Sequence, residues 1–192
     1  NNKTIRIAIC CGGPLSEILG ILDLNYKTFY GKGLGFLNFE FDVYDMNDWS
    51  HSIKIIKKII DKRYDDAINV KINEIKINFL SQSDIERHFE NKSDYYSLIV
   101  FQNALNEIIG GYVKLNKASL DDINRLLSYE LYHQLIYIPI KSLTKKGSLL
   151  FIDRYGYRYV DDFWLALIEY HDNKFRAHDI EISYEDYIEY KS

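Results

Sequence analysis

Six short apolar or alternating segments, separated by amphipathic stretches, set the rhythm of this chain. Ile5–Cys10 (IRIAIC) is a β-branched run that stops at Gly12-Gly13, which predicts a buried strand and a glycine turn. Pro14 then stands where a first helical residue is favoured. Ser16 and Glu17 fall in the first turn, and Ile18, Leu19 and Leu22 continue an apolar face. After the flexible Gly31–Gly35 stretch, Phe39–Tyr44 alternates as a second strand and ends at Asp45. From about Asp48, a plausible N-cap, to Arg63, the residues Trp49, Ile53, Ile56 and Ile60 recur at helical spacing. Ile75–Leu80 reads as a third strand, ending near Asp84, and the continuously apolar Ser97–Phe101 as a fourth. A long helix is predicted from about Ser119 to Ile138, with Leu120, Ile123, Leu127, Leu131 and Leu135 on one stripe. A turn at Lys145–Gly147 leads into a fifth strand, Ser148–Asp153. A short helix near Asp162–Tyr170 and a late strand near Phe175–Ile182 complete the pattern.

Strands that alternate with helices along the whole chain predict an α/β fold. Its mainly parallel central sheet is flanked by helices on both faces, with an antiparallel edge strand near the C-terminus. No linker or internal repeat divides the 192 residues, so one domain is expected. The formal net charge of −4 leaves no global electrostatic footprint for nucleic acid. Five basic residues between Lys54 and Arg63 read as the solvated face of an amphipathic helix. The 17 tyrosines read as compositional bias rather than as a functional array. Only Cys10 and Cys11 are present, and neighbours pair under strain, so a disulfide scaffold is excluded and a reducing, intracellular compartment (cytoplasm or nucleus) is expected. No apolar run approaches the roughly 18 residues of a membrane span, and no signal-peptide pattern opens the sequence.

In open parallel sheets, ligands bind beyond the carboxyl ends of the strands. The polar signals of this sequence fall at such ends. Cys11-Gly12-Gly13-Pro14-Leu15-Ser16-Glu17 pairs a glycine turn with a helix N-terminus. Asp45, with Met46 beside it, has the chemistry to accept both ribose hydroxyls of a nucleoside while an apolar side chain lies against the base; the alternative is a surface Asp capping the next helix. Ser83-Asp84-Ile85 offers an acceptor for an exocyclic amine and an apolar side chain for its ring, or else an N-cap. Gln102-Asn103-Ala104-Leu105-Asn106-Glu107 places amides and a carboxylate after the fourth strand, with helix capping as the alternative. Asp153-Arg154-Tyr155-Gly156 stands after the fifth strand as a candidate rim.

Taken in order, these segments resemble the motifs of class I S-adenosylmethionine-dependent methyltransferases, which have a Rossmann-like fold. The layout is also similar to that of the fungal-type uridine methyltransferases of large-subunit ribosomal RNA, through Glu17, Asp45 with Asp48-Trp49, Leu105-Asn106-Glu107, and Gly147 to Asp153 with Gly156. The resemblance implies a methyl transfer from S-adenosylmethionine to an acceptor, with RNA or a protein among the partners. It implies cofactor binding by Cys11, Gly12, Gly13, Pro14, Ser16, Glu17, Asp45, Met46, Ser83, Asp84, Ile85 and Asn103, with Asn103, Asn106 and Glu107 on the acceptor side. Cys11 and Leu15 stand where that family's loop has its first and third glycines, and Ile9 where it has an acidic residue. Leu15 is therefore expected to bring bulk to the place where the methionine moiety would approach.

Two further readings compete. The altered loop suits a catalytically inactive binding or scaffold subunit of an RNA or protein complex. A nicotinamide-dependent oxidoreductase lacks support, since Gly-x-Gly-x-x-Gly is absent at Cys11–Ser16. His51, His88, His133, His171 and His178 show no ligand-like spacing, and no metal is expected. There is no nucleophile elbow and no P-loop lysine. No Asn-Pro-Pro-Tyr-type tetrapeptide follows the fourth strand, and no cysteine stands in the later strands for a covalent pyrimidine mechanism.

Overall fold

Strand β1 (Thr4–Cys10) lies near the middle of a five-stranded sheet, and every strand in that sheet runs parallel to its neighbours. The computed structural model describes residues 4–13, 15–29, 37–64, 68–116, 131 and 133–153. Within them, β1 is followed by α1 (Ser16–Phe29), β2 (Leu37–Asp45), α2 (Ser50–Tyr64), β3 (Ile68–Lys76) and α3 (Gln82–Phe89). Then come β4 (Tyr96–Gln102), α4 (Leu105–Asn116), a π-helical turn (His133–Tyr137), the one-turn helix α5 (Ile138–Lys141) and β5 (Leu143–Ile152). The strand order is β3-β2-β1-β4-β5, a Rossmann-like α/β arrangement.

Alternation along each strand divides the core into two layers. Ile7 and Ile9 of β1, Phe39, Phe41 and Val43 of β2 and Val100 of β4 pack against Ile18 and Leu22 of α1 and Ile53, Ile56 and Ile60 of α2. The opposite side chains, Ala8, Cys10, Tyr44, Ile99 and Phe101, pack under α3, α4 and the π-helical turn through Ile85, Phe89, Ile108, Ile109 and Leu135. Burying both faces is what a parallel sheet requires.

One buried polar cluster interrupts this packing, and the sequence pattern did not single it out. The Lys92 ammonium donates to Asp42 Oδ2 at 2.7 Å, Tyr44 Oη at 2.7 Å and Tyr96 Oη at 2.6 Å. Tyr96 also donates to Asp42 Oδ2 at 2.5 Å, and Asn73 Nδ2 donates to Asp42 Oδ1 at 2.7 Å. The three ammonium protons thus meet three acceptor atoms, and the Tyr44 hydroxyl, 2.7 Å from Tyr96 Oη, donates to it, so the charge pair is held without an orphaned proton. Burial pushes both tyrosine hydroxyls well above their ordinary range, so they stay neutral donors.

Several expected elements differ from the observed ones. The third strand is Ile68–Lys76 rather than Ile75–Leu80, and it ends eight residues before Asp84. Ile77 and Phe79 are apolar because they plug the core from a turn, and Asn78 Oδ1 closes that turn by accepting Leu80 N at 3.0 Å. Lys145–Gly147 is not a turn but part of β5, at a register shift where the partners jump from Tyr96↔Leu143 to Leu98↔Ser148. Gly147 is needed there, since a Cβ would come within 2.9 Å of the Tyr96 carbonyl oxygen. Most of the long helix expected over Ser119–Ile138 lies outside the described residues, as do the helix near Asp162–Tyr170 and the antiparallel edge strand near the C-terminus. Among the described residues, no helix is long and apolar enough to cross a membrane.

Candidate functional site at the strand ends

The connections part at the centre of the sheet: β1 leads towards β2 on one side and β4 towards β5 on the other. The residues that end these two neighbours share one device. Cys11, directly after β1, has φ = +56°, and its N–H donates to Tyr44 O of β2 at 2.9 Å. Asn103, directly after β4, has φ = +51°, and its N–H donates to Ile152 O of β5 at 2.7 Å. Each thus extends the ladder outward for one more bond, and together they flank the switch point of the sheet, where open α/β sheets have their crevice.

Positive φ recurs along the loop that leaves β1. Cys11, Gly13 and Leu15 have φ of +56°, +46° and +66°. These are the three positions at which the sequence resemblance places glycines, and two of them carry side chains. Leu15 does not bring its bulk to the crevice: it is wholly buried in the core between the sheet and α1. Gly12 is packed from the same side, because a Cβ there would meet Ile9 Cγ2 at 2.5 Å. At Gly13 a Cβ would meet nothing within 4 Å, so this peptide faces open space. Pro14 lies outside the described residues. Ser16, at the start of α1, is exposed. Glu17, one residue further, has a buried Oε2 with no hydrogen-bond partner among the described residues, and burial raises its carboxyl pKa. Trp49 Nε1, directly before α2, is a buried donor without a partner among the described residues.

Three carboxylates act on the thiol of Cys11. Burial pushes the Cys11 thiol far up, and the carboxylates of Asp45, Glu107 and Asp153 push it further, in that order. Residues from the ends of β2 and β5 and from the first turn of α4 therefore bear on one atom at the end of β1. Asp45 Oδ1 accepts Asn47 N at 2.9 Å and Asn47 Nδ2 at 3.1 Å; no hydrogen bond among the described residues engages its Oδ2. Met46 beside it is 61% exposed, a large apolar side chain at the rim. Asp153 Oδ2 accepts the Leu105 N–H at 2.8 Å and so fixes the start of α4, where Glu107 is exposed. The side chain of Asn106 lies outside the described set. Among the described residues, no group of three or more His, Cys, Asp or Glu is arranged to hold a metal ion.

The structure places Ser83-Asp84-Ile85 elsewhere. These residues belong to α3, not to the tip of β3. Asp84 accepts Asn78 N at 3.4 Å and is paired with Arg87, while Ser83 Oγ lies 3.1 Å from the cap residue Ser81. Ile85 is wholly buried beneath α3, where it fills the core. The residues that leave β3 at the crevice edge are Ile77, whose N–H donates to Asp45 O at 3.1 Å, and Asn78. The strand–loop boundary is the signal that would have found them, and the apolar plug Ile77–Leu80 hid it.

No protein-family model matches the chain, and a search of curated proteins finds no significant relative.

Proposed function

We propose that this chain binds S-adenosylmethionine in the crevice beyond β1 and β4 and transfers its methyl group to an acceptor. The observation that carries the reading is the run of positive φ at Cys11, Gly13 and Leu15, a loop backbone of the glycine-turn kind with glycine at only one of the three. It leaves the inner strand of a 3-2-1-4-5 sheet, and the one bulky side chain in it turns into the core.

Electrostatics favours this ligand over a dinucleotide. A pyrophosphate among Asp45, Glu107 and Asp153 would meet like charge, whereas a sulfonium and an ammonium would meet opposite charge. The residues present fit the group: Glu17 has an unpaired buried oxygen for an ammonium, Asp45 Oδ2 is open to ribose hydroxyls, and Met46 is an exposed surface for a base. When bound, the cofactor supplies an electrophilic methyl group. The protein's part is to hold an acceptor in line with it, with Asn103 and Asn106 orienting that acceptor and Glu107 taking up its proton where one must be lost.

Calorimetric titration tests the reading. Saturable heat with S-adenosylmethionine or S-adenosylhomocysteine and none with NAD is expected; heat with NAD alone overturns it. Labelled methyl transfer into RNA or protein fractions then separates an enzyme from a cofactor-binding scaffold.

A further inference from the structure

The helix α2 combines a spent apolar face with an unpaired basic one. Ile53, Ile56, Ile60 and Tyr64 are buried against the sheet. The outward positions hold Lys54, Lys57, Lys58 and Lys62, all exposed, with Arg63 at the end paired to Asp23. The helix contains one acidic residue, Asp61, although the chain as a whole carries a net charge of −4. Among the described residues, none of those four lysines forms an ion pair. Lys54, Lys58 and Lys62 stand one turn apart, which sets a cation every ~6 Å along a helix of 15 residues. The helix begins five residues after Asp45, at the mouth of the crevice, and runs away from it.

We propose that this face of α2 docks single-stranded RNA, its phosphates following the lysine row while one base reaches the crevice. That the bound strand is the methyl acceptor rests on the function proposed above; the docking itself does not. The separation of charge supports the pairing: the lysine row attracts a polyanion, whereas Asp45, Glu107 and Asp153 repel a phosphate and admit only the uncharged base. A single strand suits the geometry because its bases can splay out without unpairing. A lipid surface fits less well. The apolar side chains exposed on α2 are Ile55 (47%) and Ile59 (36%), flanked by lysines on the same face, and the broad apolar stripe is already buried. No Phe, Tyr or Trp stands between Lys54 and Lys62 to stack bases, so binding should be largely independent of sequence.

The test is fluorescence anisotropy of a labelled, unstructured 20-nucleotide RNA against the full chain and a K54Q/K58Q/K62Q variant, over a salt series. The expected result is an affinity loss of at least tenfold in the variant. Its slope of log affinity against log salt should be shallower by about 2, the value for three lost phosphate contacts to a single strand. Circular dichroism and S-adenosylmethionine calorimetry should be unchanged, since these side chains touch neither core nor crevice. Equal RNA binding by variant and parent overturns the proposal. So does an absence of RNA binding, or binding of phosphatidylserine vesicles in its place that the same substitutions abolish. If RNA binds through the lysines while S-adenosylmethionine gives no heat, the docking surface stands and the methyl-donor reading falls.

Discussion

Asp153, directly after β5, accepts the backbone N–H of Leu105, the first residue of α4, at 2.8 Å. A residue 48 positions away in sequence thereby satisfies one of the free donors that every helix start leaves. It also sets where Glu107, two residues on, meets the crevice. Replacing Asp153 by Ala should destabilise the fold by about 1–2 kcal/mol, the range for a lost N-terminal acceptor. Asp153→Asn, which keeps an acceptor oxygen, should recover at least half of that. Urea unfolding of the pair of variants checks this, and equal losses in both would show that charge, not the hydrogen bond, matters.

Gly12 and Gly13 should fail differently when a methyl group is added. At Gly12 the new Cβ meets Ile9 Cγ2, a stiff β-branched side chain in the core, so Gly12→Ala should cost about 1–3 kcal/mol through overpacking. At Gly13 the space is open and only φ = +46° resists, so Gly13→Ala should cost about 1 kcal/mol. Gly12→Ala combined with Ile9→Leu, which removes the Cγ2 branch at the same volume, should cost less than the sum of the two single substitutions; unfolding midpoints decide.

Lys92 ties β2, β4 and the turn after α3 to one another. Lys92→Met leaves the Asp42 carboxylate buried with hydrogen bonds from Tyr96 and Asn73 but no counter-charge. The expected loss is about 2–4 kcal/mol, below the full figure for a broken buried pair because Lys92 keeps some contact with water. Adding Asp42→Asn should return part of it. A double-mutant cycle in denaturant measures the coupling, and a coupling near zero would refute the network.

Glu17 links stability to pH. Burial raises its pKa in the folded chain above its ordinary value of 4.5, so in the window above that value the folded state holds more proton than the unfolded one. Stability from this group is therefore full below the ordinary pKa and falls as pH rises through the raised one. Glu17→Gln should raise the melting temperature at pH 7 and leave it unchanged at about pH 4 or lower. If Glu17 holds the ammonium of the cofactor, the same substitution should weaken S-adenosylmethionine binding, which calorimetry reports separately.

Much of the sheet was legible because its inner strands are plain apolar runs. Ile5–Cys10, Phe39–Tyr44 and Ser97–Phe101 each fall within an observed strand. The edge strand β3 escaped because Asn69, Lys71 and Asn73 pair sideways, Lys71 and Asn73 with Glu40 and Asn73 with Asp42. Such polar ladders read as loop in a single sequence. The helix α4 was hidden by Gly110-Gly111, a pair of weak helix formers; Gly111 packs against Leu80, where a Cβ would come within 3.2 Å. Cys11, Asp45 and Asp153 stand at or directly after strand ends and Glu107 in the first turn of α4, where the sequence places its candidate residues. Ser83–Ile85 misled because helix capping and ligand binding favour the same residue types at the same places.

The outward bond of Cys11 to Tyr44 bears on what the loop after β1 tolerates. A turn anchored by a ladder hydrogen bond where it leaves the strand holds positive φ at Cys11 and Leu15 without glycine at either place. Its shape is written in the backbone rather than in residue type, so likeness to other loops is measured by superposing backbones rather than by aligning letters.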